Sequence, residues 1–280
     1  MLNFGYHLAR LKGTAARRFY CVSLSLIARR RMNVPRSVAL DVFSYSGEAM
    51  LPEQMASIRS FLRHVGRPKS FTVVSDGSYS GRSVRLLERL DPTITVQSSI
   101  QPARLNEFPD KFRRYLSSHP TGKQLALIMS LPDNGPALYI DSDVLFFENA
   151  VDLAKRAGER SVPAYYLADC QFSGDARLLR DTHEQQEPVN TGVLLLFQKL
   201  DWSLGVKRFL ELEGDPVFFT NQTLAHLTMH ANGAQPFDRA KYVLQLDDQF
   251  VYPDRYAGAT LALRHYVNPV RHKFWTSLRS

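Results

Sequence analysis

Cysteine is nearly absent: Cys21 and Cys170 are the two in 280 residues. One lies near the start and the other in the body, so a disulfide framework is not expected and a reducing compartment is. No apolar run approaches the ~18 residues of a membrane-spanning helix. The apolar stretch Phe19 to Ala28 is short, runs into Arg29-Arg30-Arg31, and lacks the cleavage site of a secretory signal. Acidic residues are missing from residues 1–37, while Arg10, Lys12, Arg17, Arg18, Arg29, Arg30, Arg31 and Arg36 fall there. These account for the whole net charge of +8, leaving 27 basic against 27 acidic residues in 38–280. A nucleic-acid-binding surface spread over the fold is thereby disfavoured, and nucleic acid is not an expected partner. There is no internal repeat and no low-complexity tract.

What is present is an ordinary globular composition, 44% hydrophobic and 22% charged. At ~150 residues per domain the length suits two domains, or one large α/β domain with an addition. The boundary is expected near residue 37. Before it, Leu8, Leu11, Ala15, Phe19, Val22 and Leu26 recur at steps of three and four, predicting an amphipathic helix that ends before Pro35. Residues 5–31 then have two readings. They form an interfacial helix on an anionic membrane at the cytoplasmic face, or the stripe packs on the body and the arginines are solvated. An arginine-rich, acid-free leader also has the composition of an organelle transit peptide.

From residue 38 onward strands and helices alternate. Strands are expected at Val38 to Phe43, Ser70 to Ser75, Thr93 to Gln97, Ala137 to Ile140, Ala164 to Ala168, Val193 to Phe197 and Leu261 to His265. Helices are expected from Pro52 to Val65, Arg82 to Leu90, Lys123 to Leu131, and near 202–212 and 220–230. That alternation implies an α/β domain over 38–280, with a mostly parallel central sheet flanked by helices.

Chemistry concentrates where Ala137-Leu-Tyr-Ile runs into Asp141-Ser142-Asp143. Ligands of α/β sheets bind at the carboxyl ends of strands. Two carboxylates placed there repel each other and are costly to desolvate unless a cation joins them. A hard divalent ion such as Mn²⁺ or Mg²⁺ suits that donor set and keeps positions open for phosphate. A solvated Asp-Ser-Asp turn is the plain alternative. Asp247-Asp248 reads as a solvated loop.

Tyr139-Ile-Asp141-Ser-Asp143-Val-Leu resembles the DxD segment of GT-A glycosyltransferases. Val42-Phe-Ser44-Tyr45 resembles their first strand, and Val73-Val-Ser-Asp76-Gly77 their second strand and turn. Val189-Asn190-Thr-Gly192, Thr220-Asn221-Gln222 and His265 with Lys273-Phe274-Trp275 resemble segments of the retaining glycogenin and lipopolysaccharide galactosyltransferase family, in the same order along the chain. Asn221 departs from that family's aspartate, and Phe274 from its proline.

The resemblance implies a GT-A domain that moves a sugar from a nucleotide-diphosphate donor, a UDP-sugar, to a saccharide, lipid-linked or protein acceptor, with retention. It implies Asp141, Asp143 and His265 as ligands of Mn²⁺ or Mg²⁺. It places Gln222 and Asp169 at the reacting sugar. Ser44, Tyr45, Asp76, Lys123, Ser142, Asn190, Gly192 and Lys273 are implied around the nucleotide-sugar, Lys273 at the diphosphate. Lys123 reads equally as a solvated helix-end lysine, and Asp76 as a turn former. Two rivals stand beside this reading. One is a haloacid-dehalogenase-like phosphatase, with Asp141 as nucleophile and Asp247-Asp248 as the distal metal pair. The other is a catalytically degenerate nucleotide-sugar-binding protein.

Overall fold

A computed structural model of the chain describes residues 3–30, 32–34, 36–98 and 107–278. Arg31, Pro35 and residues 99–106 lie outside the described residues, as do the two residues at each end.

The first helix, α1, spans Phe4–Arg29, and its first turn is capped by the Asn3 side chain accepting from the Tyr6 amide. The chain then alternates: β1 (Asp41–Ser46), α2 (Leu51–His64), β2 (Ser70–Ser75), α3 (Gly81–Glu88) and β3 (Ile94–Gln97). Helices α4 (Asp110–Ser118) and α5 (Pro120–Ser130) precede β4 (Ala137–Ile140) and β5 (Val144–Phe146). Next come α6 (Val151–Arg156), β6 (Ala164–Ala168), β7 (Val189–Leu196), α7 (Ser203–Glu211) and α8 (Thr220–Ala231). Short strands β8 (Gln235–Pro236), β9 (Tyr242–Val243) and β10 (Leu263–His265) lead to a 3₁₀ turn at Asn268–Lys273 and α9 (Phe274–Ser277).

The main sheet has seven strands in the order β3-β2-β1-β4-β7-β6-β8. Every strand runs the same way except β7, which is antiparallel to both its neighbours, β4 and β6. This is the mostly parallel α/β sheet that the alternation implies. Strand alternation sends Leu138, Ile140, Val193 and Leu195 to one apolar core, which they share with Met55, Ile58 and Phe61 of α2. Tyr139, Leu194 and Leu196 face the opposite core, against Leu125 and Ile128 of α5 and Leu224 of α8. Both faces of the central strands are covered, which is why they read as continuous apolar runs. A smaller sheet, β5-β10-β9, closes one end.

The basic leader does not stand apart from this body. Gly13 of α1 lies so close to the 3₁₀ turn that a Cβ there would sit 2.0 Å from the His272 carbonyl oxygen. Arg17 donates to both carboxylate oxygens of Glu53, at 2.6 and 3.1 Å, and Tyr20 packs on Trp275 with ring centroids 4.8 Å apart. The face that packs is not the face the periodicity selects, however. Leu11, Phe19, Val22 and Leu26 are exposed, Val22 by 82%.

Candidate active site

The parallel strands β1, β2 and β4 deliver three chain segments to one edge of the sheet. Asp141 follows β4, Asp76 follows β2, and Gly47 follows β1. The Asp141 amide donates to Gly192 O at 2.9 Å, which extends the β4–β7 ladder by one residue and fixes where the first carboxylate begins. The antiparallel register of β10 on β5 sets His265 opposite Val144, beside Asp143, and the Tyr266 amide bonds Asp143 O at 2.9 Å. Suitable ligand atoms of Asp141, Asp143 and His265 all lie within 4.8 Å of one another.

The imidazole is oriented by Asn190. Asn190 Oδ1 accepts from the Gly192 amide at 2.9 Å and lies 2.9 Å from His265 Nδ1. An amide oxygen only accepts, so Nδ1 carries the proton. Nε2 is left facing Asp143 Oδ1 at 3.1 Å and Asp141 Oδ2 at 3.7 Å. Burial alone would raise the Asp143 carboxyl, but His265 and Arg271 outweigh it and hold it down at about 2. Burial raises Asp141 and is only partly offset by His265. Burial would lower His265, yet Asp143 against it raises it. The two carboxylates therefore differ: one is held ionised by cations, while the other is hard to charge. Two carboxylate oxygens and an imidazole nitrogen, oriented by outer hydrogen bonds, fit a divalent Mn²⁺ or Mg²⁺.

Gly192 has a specific task here. A Cβ on it would sit 2.2 Å from His265 Cε1 and 2.5 Å from Nδ1. It makes room for the imidazole, and it lies inside the buried strand β7. We expect Gly192→Ala to displace His265 and lower Mn²⁺ affinity by about 10- to 100-fold, the scale of an outer-shell loss. Calorimetric Mn²⁺ titration checks this, and unchanged affinity would show that the imidazole does not depend on that space.

Beyond the triad a cavity of about 310 Å³ opens, lined by Gln124, Asp169, Asn190, Asn221, Gln222 and Arg271 among others. A β-bulge at Tyr166/Leu167 re-aims β6 against β7, and Asp169 at its end accepts from Asn190 Nδ2 and Gln222 Nε2, both at 3.3 Å. Gln222 also donates to Ser173 O at 2.6 Å. Six residues expected at the site, Asp141, Asp143, Asp169, Asn190, Gln222 and His265, thus share one cavity.

Others lie elsewhere. Lys273, expected at a diphosphate, is 1% exposed and donates to Asp248 Oδ2 at 2.8 Å. The 3₁₀ turn of 268–273 points Arg271 to the site and Lys273 into the core; the Arg271 guanidinium bonds Asp143 Oδ2 at 2.5 Å. Asp248 is accordingly not a solvated loop residue. It is fully buried between Lys273 and Arg264, whose Nη2 bonds it at 2.7 Å. That occupation removes it as a distal metal ligand and with it the geometry a haloacid-dehalogenase-like phosphatase needs. Ser44 is fully buried and donates to Gln54 Oε1 at 2.7 Å, beneath the sheet edge. Ser142 is buried too. Tyr45 is half-buried, its hydroxyl pushed up to about 12 by burial and then by Asp76. Asp76 is exposed and accepts from the Ser78 amide at 2.9 Å, an Asx turn, with Gly47 leaving it space.

Lys123 is exposed on α5, and its neighbour Gln124 faces the site instead. Gln124 Nε2 donates to Asp141 Oδ1 at 3.0 Å and to Tyr139 Oη at 2.7 Å, while its Oε1 accepts from Asn221 at 3.0 Å. Sequence reasoning missed Gln124 and Arg271. The burial period of α5 was the available signal for the first, since Thr121, Leu125 and Ile128 lie on its inner side. For the second there was only the run Arg271-His272-Lys273, which does not say which cation turns inward.

No protein-family profile matches the chain, and no curated protein matches it in sequence. Solved structures do match in fold. An active-site glutamine-to-glutamate variant of LgtC superposes with TM-score 0.55 at 15% identity, covering 85% of this chain and 95% of that one. The galactosyltransferase LgtC in complex with donor and acceptor sugar analogues gives 0.53 at 16%, over 85% and 95%. Mouse xyloside xylosyltransferase 1 in its apo form gives 0.54 at 13%, over 84% and 99%. The chain has the GT-A fold of glycosyltransferases.

Proposed function

We propose that the protein is a metal-dependent glycosyltransferase that moves a sugar from a nucleotide-diphosphate donor, a UDP-sugar, to an acceptor with retention of configuration. The observation that carries this reading is one continuous constellation. The Asp141, Asp143 and His265 cluster is tied through Asn190 to Asp169 and Gln222 around a single cavity. The GT-A fold supports it, and the complex of LgtC with donor and acceptor sugar analogues supports a nucleotide-sugar and a saccharide as ligands.

Breaking a sugar–phosphate bond leaves a diphosphate with several negative charges, and stabilising that charge is the main catalytic demand. Asp141, Asp143 and His265 would hold Mn²⁺ or Mg²⁺, which would supply positive charge to offset that of the departing diphosphate. Arg271 lines the same cavity and takes the role expected of Lys273, as a fixed fork suited to phosphate oxygens. Asp169, Asn190 and Gln222 offer one carboxylate and two amides for sugar hydroxyls, and Asn190 at the same time keeps His265 in its ligand tautomer. No residue of this set is an activated nucleophile, so the acceptor hydroxyl attacks on the face that the phosphate leaves, with the phosphate oxygen taking its proton. Phe218 and Phe219, exposed by 67% and 45%, form an apolar rim for the acceptor. Tyr45 and Asp76 stand at the neighbouring strand ends for the nucleotide. The reading places the reaction at the cytoplasmic face, where nucleotide-sugars are made.

A thermal-shift panel of nucleotide-sugars with and without Mn²⁺ tests this. A donor at 100 times its dissociation constant adds about 2.7 kcal/mol, which at this size raises the melting temperature by about 5–10 °C. The shift is expected for a UDP-sugar with Mn²⁺ and lost in EDTA; slow release of UDP from the same sugar checks turnover. No shift with any nucleotide-sugar would refute the reading. A shift without UDP release would mark the degenerate binding protein, for which Asn221 is the motif's one missing carboxylate.

A further inference from the structure

Helix α1 carries two opposed faces. At about 100° per residue, Ala9, Gly13, Ala16, Tyr20 and Ile27 fall on one side, and these pack on the body. Phe4, Leu8, Leu11, Phe19, Val22 and Leu26 fall within an arc of about 80° on the other side, and all six are exposed, Phe4 by 79% and Leu26 by 70%. Nothing in the body needs that second stripe, because the helix is already anchored through its small residues, the Arg17–Glu53 pair and Tyr20. A continuous row of large apolar side chains held rigidly in solvent marks an interaction surface.

Its border says what the surface meets. Arg18 and Arg29 flank one side of the stripe and Lys12 the other, Arg30 follows the last turn, and all four are exposed. The helix holds no acidic residue, in a chain whose remaining charges balance. Arg59 and Arg63 of α2 line a cavity of about 190 Å³ together with Tyr20 and Met32, adding positive charge beside the end of the helix. No described helix is long and apolar enough to cross a membrane.

We propose that the exposed face of α1 docks on an anionic phospholipid surface, inserting Leu11, Phe19, Val22 and Leu26 between lipids while the flanking cations meet the headgroups. This settles on different faces the two readings of the leader, packing and membrane binding: the helix does both. The consequence for the active site is positional. The 3₁₀ turn beneath Gly13 carries Arg271, so the site is rigidly fixed relative to the bilayer instead of swinging on a linker.

Vesicle co-sedimentation of the full chain decides it, comparing phosphatidylcholine vesicles with vesicles containing three-tenths phosphatidylglycerol. The full chain should pellet with the anionic vesicles and not with the neutral ones, and binding should weaken as salt shortens the screening length. The triple variant Phe19→Ser, Val22→Ser, Leu26→Ser changes exposed residues only and should stay folded by circular dichroism, yet remain in the supernatant. Arg18→Gln and Arg29→Gln should each weaken anionic-vesicle binding about fivefold. If the wild type ignores anionic vesicles, or the serine variant pellets as well as wild type, the proposal falls. A wild-type dimer in light scattering that the serine variant loses, without vesicle binding, would likewise overturn it and give the face to a second copy of the chain.

Discussion

Asp143→Asn should abolish metal-assisted UDP binding, with a loss in affinity greater than about a hundredfold. Outer-shell partners of a metal are commonly worth 10- to 100-fold, and Asp143 is proposed as a direct ligand. The asparagine keeps the shape and removes the negative charge that His265 and Arg271 address from two sides, at 3.1 and 2.5 Å. Titration calorimetry of UDP in the presence of Mn²⁺, against an EDTA control, is the measurement. In wild type the metal should be required; in the variant, UDP should bind equally weakly with or without it. Wild-type affinity that survives either Asp143→Asn or EDTA would mean the cluster is an ion-paired structural site. Arg271 is 38% exposed, so its bridge to Asp143 is screened, but His265 against the same carboxylate is buried; a melting curve of the variant reads that loss of stability directly, apart from the titration. Binding and folding effects are therefore separable.

The largest effect on stability is expected from Asp248→Ala. Asp248 is completely buried and holds two cations that are themselves buried, Lys273 at 2.8 Å and Arg264 at 2.7 Å. Arg264 keeps Asp254 as a partner when Asp248 is removed, whereas among the described residues Lys273 keeps only a 3.5 Å contact to the Pro253 carbonyl. An unpaired buried charge costs about 3–5 kcal/mol, or about 6–20 °C in melting temperature at this size. Burial opposes ionisation of Asp248, but its bonds to Arg264 and Lys273 win and lower its carboxyl below the usual range. A depressed carboxylate stabilises the fold above its unfolded value, near pH 4, and that contribution fades as pH falls further toward its folded value. Melting curves at pH 7 and pH 3 should therefore show a large gap between wild type and variant at the first and a smaller one at the second. Equal melting temperatures at pH 7 would show that the pair is not structural.

The contrast between Lys273 and Arg271 shows how far motif reading reaches. The C-terminal segment was legible as cationic and as following a strand that ends in histidine. Which cation meets the site depends on the handedness and pitch of a six-residue 3₁₀ turn and on a carboxylate 25 residues earlier. Motif spacing carries neither. Gln124 was hidden for the same reason: its partners are Asp141 and Asn221, 17 and 97 residues away. In the leader the periodicity selected an apolar stripe correctly, but an apolar stripe does not say whether it faces a core. There the small residues Ala9 and Gly13 make the contact, since close approach of two backbones needs little side chain.

By itself the sequence determined the alternation of strand and helix, the strands Ser70–Ser75, Ala137–Ile140 and Ala164–Ala168 to the residue, and the arrival of Asp141 and Asp143 at a strand's carboxyl end. These are local matters, set by apolar period, turn residues and chain direction over a few positions. Only the tertiary structure decided that β7 runs against its neighbours, that β10 pairs with β5 so that His265 meets Asp143, and that Gly192 leaves room for the imidazole. Those depend on pairings between segments far apart in the chain. A strand's apolar pattern specifies which face it buries and leaves open which partner, direction and register it takes.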